Sequence, residues 1–109
     1  MPRKPRNDRN HIIYQLTNKI TGESYIGITV VKGRAFNKSL KIRWEGHCYK
    51  AYVELKEWAI SINIRTYGIN TFQKQIIEIV RGKPQAHKRE VELINSLQPE
   101  LNTHKAQIA

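Results

Sequence analysis

His11-Ile12-Ile13-Tyr14-Gln15-Leu16-Thr17 and Ser24-Tyr25-Ile26-Gly27-Ile28-Thr29-Val30 flank the short polar stretch Asn18-Lys19-Ile20-Thr21-Gly22-Glu23. Both segments carry the β-branched and aromatic residues of strands, and the Asn- and Gly-containing stretch between them reads as a turn. The pair is therefore predicted to form an antiparallel hairpin. It sets Tyr14 and Tyr25 on adjacent strands. Gly27, two positions after Tyr25, either lets a ligand approach the strand closely or marks a simple β-bulge.

Working outward, residues 31–38 have loop character and are distinctly basic. A helix is expected to begin after Asn37 or Ser39, either of which can cap it. Leu40, Trp44, Cys48, Ala51 and Leu55 follow the rhythm of one buried helical face. A second helix is expected from about Glu57 to Tyr67, with Trp58, Ile62 and Tyr67 as core positions and Gly68 as its stop. Phe72, Ile76, Ile77, Ile79 and Val80 read as a third strand, ended by Arg81-Gly82-Lys83-Pro84. A last helix covers roughly residues 85–97, limited by Pro99. The order ββααβα predicts an α+β fold: a small three-stranded antiparallel sheet flanked by helices. Residues 1–10, charged, Pro-containing and aperiodic, read as a flexible basic arm, and 104–109 as a C-terminal tail.

The chain has 109 residues, enough for one domain with a modest core. It is 39% hydrophobic and 26% charged, which is globular rather than disordered. Lys and Arg number 19 against 9 Asp and Glu, a net charge of +10, so a polyanion is the expected partner. Charge alone leaves open a ribosomal or merely soluble basic protein. Cys48 is the single cysteine, which rules out an intrachain disulfide and fits a reducing, cytoplasmic setting. No apolar run approaches the ~20 residues of a membrane span, and the N-terminus lacks the apolar stretch of a secretory signal.

Arg43 and His47 are four positions apart and share one helix face. An arginine offers planar donors to a phosphate, and a histidine moves protons near neutral pH. Glu90 is a candidate metal carboxylate, with Lys88 and Arg89 beside it to hold it ionised, while Glu92 points to another side of the helix. A tyrosine of ordinary pKa, about 10, is a poor base, and a nearby cation would lower that value. Each residue also has a plain structural role: surface helix positions for Arg43, His47 and Glu90, half-buried strand positions for the tyrosines.

Taken in order, Ile12-Ile13-Tyr14, Tyr25-Ile26-Gly27, Arg43-Trp44-Glu45-Gly46-His47, the run from Trp58 to Phe72, Arg89-Glu90-Val91-Glu92-Leu93-Ile94 and Pro99-Glu100-Leu101-Asn102 resemble the GIY-YIG nuclease domain over residues 11–103. The resemblance implies a DNA endonuclease with one Mg²⁺ or Mn²⁺ held by Glu90. It implies Tyr14 as general base, assisted by Tyr25 or His47, with Arg43 steadying the phosphorane and Asn102 supporting the site. Two departures stand out: Ile12 takes the place of the signature's first glycine, and the segment from Val30 to Leu40 is longer than in the shortest members. With Lys32, Arg34, Lys38 and Lys41 that segment is either a DNA-contacting loop or a solvated basic insertion.

The expected enzyme is of the homing or phage-encoded type, acts on double-stranded DNA in a bacterial host or phage-infected cell, and works as a monomer or a transient dimer on DNA. The alternatives are a restriction- or repair-type nuclease of the same superfamily and a non-catalytic nucleic-acid-binding module that keeps the fold.

Overall fold

β1 (Asn10–Asn18) is the middle strand of a three-stranded antiparallel sheet ordered β2-β1-β3 in the computed structural model, which describes residues 9–102. β2 spans Ser24–Val30 and β3 spans Phe72–Arg81. The helices are α1 (Phe36–Tyr52), α2 (Ala59–Tyr67) and α3 (Lys83–Leu97), with a 3-10 turn at Ile69–Thr71 ahead of β3. The expected order ββααβα and the α+β class are those found.

Central placement explains the sequence of β1: Ile12, Ile13, Tyr14 and Leu16 are all fully buried, as a strand covered on both faces requires. Ile12, Tyr14 and Leu16 share one core with Leu40, Trp44 and Ala51 of α1 and Ile60 and Ile64 of α2. Residues 1–8 of the expected arm and the tail at 104–109 lie outside the described residues. Arg9 and Asn10 are tied in, their carbonyls accepting from Gly82 N at 2.9 Å and Val31 N at 2.8 Å.

Several boundaries differ from expectation. α1 starts at Phe36, before either proposed cap, and no side chain caps it. It ends at Tyr52, so Leu55 is not on its buried face; Leu55 lies beyond the helix, exposed, with φ 52°. His47 takes the buried position expected of Cys48. α2 starts at Ala59 and buries Ile60 and Ile64, leaving Tyr67 exposed. α3 starts at Lys83 because Pro84 fits a first turn, where its missing N–H costs nothing.

The free edge of β2 is closed by the segment that follows α3. Leu101 N donates to Ser24 O at 2.9 Å, and Ser24 N donates to Glu100 Oε1 at 3.1 Å. The Asn102 side-chain amide exchanges two 2.7 Å hydrogen bonds with the backbone of Ile26. The strand edge is thereby satisfied by one backbone N–H and two side chains from the far end of the chain.

Candidate active site

The β1–β2 register sets Tyr14 opposite Gly27 and Tyr25 opposite Leu16. The two tyrosines are thus diagonal neighbours on one face, with ring centroids 6.3 Å apart. Gly27 makes this possible: a Cβ built there would stand 2.5 Å from Tyr14 Cζ and 2.9 Å from Tyr25 Cε1. The space above Gly27 is filled by these two rings, and the bulge in the sheet lies elsewhere, between Ile13 and Tyr14 on the β3 side.

α1 brings Arg43 and His47 to the same point. Arg43 Nε donates to the Tyr14 hydroxyl at 3.2 Å, and that hydroxyl stands 2.8 Å from His47 Nε2. Arginine can only donate, which leaves the hydroxyl's own proton available, and His47 accepts it when Nε2 is the unprotonated ring nitrogen. The His47 ring also meets Tyr25 edge-on, centroids 5.0 Å apart.

These groups border a cleft of about 310 Å³ lined by Tyr25, Arg43, His47, Glu90 and Asn102. Tyr14 is fully buried behind that wall. Lys32, Arg34, Lys38 and Lys41 are exposed, on the loop and first turns of α1, and do not line the cleft. A larger, mostly apolar hollow of about 800 Å³ lies along α1 beside Leu40, Trp44, Cys48 and Tyr49. It contains none of the groups gathered around Tyr14, so the smaller cleft is the candidate site.

Burial dominates the electrostatics. It raises the Tyr14 phenol well above its ordinary range, the Tyr25 charge adds to this, and Arg43 opposes it only in part. Arg43 does lower this pKa, as expected of a nearby cation, but burial outweighs it. Burial likewise raises Tyr25. His47 is pushed down to about 4, first by burial and then by the charges of Arg43 and Lys50. Its imidazole is a neutral acceptor at pH 7.

Glu90 is half-buried, and burial raises its pKa despite the opposing charges of His87 and Arg43. Arg89 does not hold it ionised: it pairs with Glu78 at 2.9 Å and Glu92 at 3.3 Å. The nearer side chain is His87, with Nδ1 3.7 Å from Glu90 Oε1. Among the described residues no group of three or more His, Cys, Asp or Glu side chains forms a metal cluster.

The cleft also contains Lys50, Trp58, Ile60 and Ile94, none of them singled out from the sequence as site residues. Lys50 was accessible to that reading, since it follows Arg43 and His47 on one face of α1 at helical spacing.

No family model matches the chain, and no curated protein matches it in sequence. Two solved structures are similar. The catalytic domain of homing endonuclease I-TevI is 20% identical with a TM-score of 0.63, over 90% of this chain and 99% of that one. The catalytic domain of intron endonuclease I-TevI in a mutant form is 22% identical with a TM-score of 0.65, over 92% and 99%. No described helix is long and apolar enough to cross a membrane. The chain has the fold of the I-TevI catalytic domain, a GIY-YIG nuclease, over nine-tenths of its length.

Proposed function

We propose that the chain is a divalent-metal-dependent DNA endonuclease that hydrolyses phosphodiesters in the cleft bordered by Tyr25, Arg43, His47 and Glu90. The observation that carries this reading is the hydrogen-bonded set Arg43–Tyr14–His47, with Glu90 on the wall of the same cleft. A fixed cation, a proton-accepting pair and a carboxylate are what phosphodiester hydrolysis needs from a protein. The neighbours are described as homing and intron endonuclease domains, which favours double-stranded DNA as substrate and a homing-type enzyme.

In this reading Tyr14 accepts the proton of the attacking water as its own proton passes to His47 Nε2. Burial penalises a free phenolate and a His47 imidazolium alike, so the proton rests on His47 only while the water is being deprotonated. Tyr14 is fully buried and does not line the cleft, so this step requires the water to enter between Arg43 and His47, which do. Arg43 then stabilises charge developing on the phosphorus oxygens. Tyr25 packs against both partners of the relay, and Asn102 holds β2 between Tyr25 and Gly27.

Glu90 suits one hard divalent cation. Burial penalises its negative charge, which a bound cation would offset, and Mg²⁺ or Mn²⁺ keeps several waters when held by a single carboxylate. Such an ion supplies positive charge to the scissile phosphate and the leaving oxygen.

Plasmid nicking with Mg²⁺ or Mn²⁺ tests the reading. Wild type should cut, and Glu90→Ala and Tyr14→Phe should each lose roughly 10²–10³ in rate, the scale of one lost transition-state contact. DNA binding without cutting under any metal would leave only a nucleic-acid-binding module. Equal cutting by all three proteins would sink the site assignment.

A further inference from the structure

We propose that Lys50 and Lys56, gathered on the Trp58 ring at one end of the cleft, grip a phosphate next to the scissile one. The inference rests on the reading above in one respect, that a nucleic-acid strand occupies this cleft. Lys50 lines it, seven residues beyond Arg43 on α1 and so about 10 Å further along the helix. Its Nζ stands 5.2 Å from the centre of the Trp58 ring, and Lys56 Nζ stands 5.4 Å from the same ring. Both distances fall within cation–π range. Trp58 itself lines the cleft.

This arrangement is built by the backbone rather than left to two mobile side chains. After α1 ends, the chain turns back through Leu55, whose φ is 52°, and Lys56 N donates to Lys50 O at 3.0 Å. Arg65 Nη1 then donates to Ala51 O and Lys56 O, each at 2.9 Å. The return loop is pinned to the last turn of α1, which holds the Lys56 backbone against Lys50.

A helix C-terminus carries partial negative charge and repels a phosphate. A strand continuing past Arg43 towards this end of α1 therefore needs cations there, and two are in place. Lys56 shares its charge with Glu54 at 3.7 Å on the surface, so Lys50 is the stronger of the two. The plain alternative is that Lys50 only complements the helix dipole.

Binding of a short duplex oligonucleotide by fluorescence anisotropy, without divalent metal and across a salt series, separates these roles. Lys50→Ala should raise Kd roughly tenfold at low salt, the scale of one charge-assisted hydrogen bond. It should also reduce the slope of log K against log salt by about one, while Lys50→Arg keeps the wild-type slope. Lys56→Ala should shift both quantities in the same direction by less. An unchanged Kd and slope in Lys50→Ala overturns the proposal, whether or not its thermal midpoint drops. Failure of wild type to bind the duplex overturns it as well. Wild type that binds with the expected slopes but never cuts would defeat the endonuclease reading and leave this one standing.

Discussion

Two of the polar side chains that the β1–β2 hairpin buries, Asn18 and Tyr14, are held on opposite principles. At its turn, Asn18 is fully buried and neutral: its Oδ1 accepts from Ile20 N at 2.8 Å and Thr21 N at 3.1 Å, while its Nδ2 donates to Asn63 Oδ1 at 2.8 Å. Asn63 continues the chain by donating to Glu23 Oε1 at 3.1 Å. Four residues back along β1, Tyr14 joins an arginine and a histidine, and burial displaces the pKa of both tyrosine and histidine. A satisfied amide network fixes a turn and has no further chemistry. An ionisable network held away from its ordinary protonation equilibria, at the wall of a cleft, stores the capacity to move a proton.

Gly27→Ala strikes the ionisable end hardest. The new methyl would overlap the Tyr14 ring and crowd Tyr25, and neither ring has a flexible end to move aside. Overpacking of this kind typically costs about 1–3 kcal/mol of stability. Displacing the Tyr14 hydroxyl should also lower cleavage by roughly 10²-fold or more. Plasmid nicking and thermal melting of the same variant check both. Cleavage at the wild-type rate would show that the close packing over Gly27 is irrelevant to the site.

The hairpin end of the site was legible because strand pairing is local. A turn over Asn18–Glu23 fixes the register, and the register brings Tyr14 beside Tyr25. The pairing of Arg43 with His47 followed from helical spacing in the same way. Gly27 was misjudged as room for a ligand or a bulge, since only the ring positions reveal what fills the space above it. Arg89 was assigned to its sequence neighbour Glu90, but β3 packs beside α3 and presents Glu78 to it. Leu55 continued an apolar rhythm past the point where Arg65 and Lys56 N bind the last carbonyls of α1. The burial of His47, and hence its displaced pKa, depended on the α1–sheet packing and had no local signal.

That displaced pKa sets the second difference between the two ends, because it ties the stability of the Tyr14 end to pH. His47 titrates near its ordinary 6.5 when unfolded but is pushed down to about 4 when folded. Above 6.5 neither state holds the proton, so there is no penalty. As pH falls from 6.5 to 4 the unfolded chain takes it up and the folded chain does not, so stability is lost across that window and levels off below it. The full loss is on the order of 3 kcal/mol. Glu90, with its pKa raised by burial, works in the opposite direction. Denaturant unfolding at pH 7 and pH 5 should therefore be compared between wild type and His47→Gln, which can still accept from Tyr14. The variant should lose less stability on acidification. An identical pH dependence would mean that His47 is not held neutral by its burial.

Asn18→Ala should produce the smallest effect and the most selective one. It deletes three hydrogen bonds, but two of them serve Ile20 N and Thr21 N in an exposed turn, where water can replace the lost acceptor. The remaining cost is chiefly the cavity and the unpaired Asn63 carbonyl, together about 1–2 kcal/mol. Tyr14 lies four strand residues away, roughly 13 Å along β1, and shares no hydrogen-bond partner with Asn18. Distant sites without common partners act additively. The melting temperature should therefore fall while nicking at a permissive temperature stays at the wild-type rate. A drop in rate comparable to that of Gly27→Ala would mean that the turn and the relay are one mechanical unit, and that the hairpin has no purely structural end.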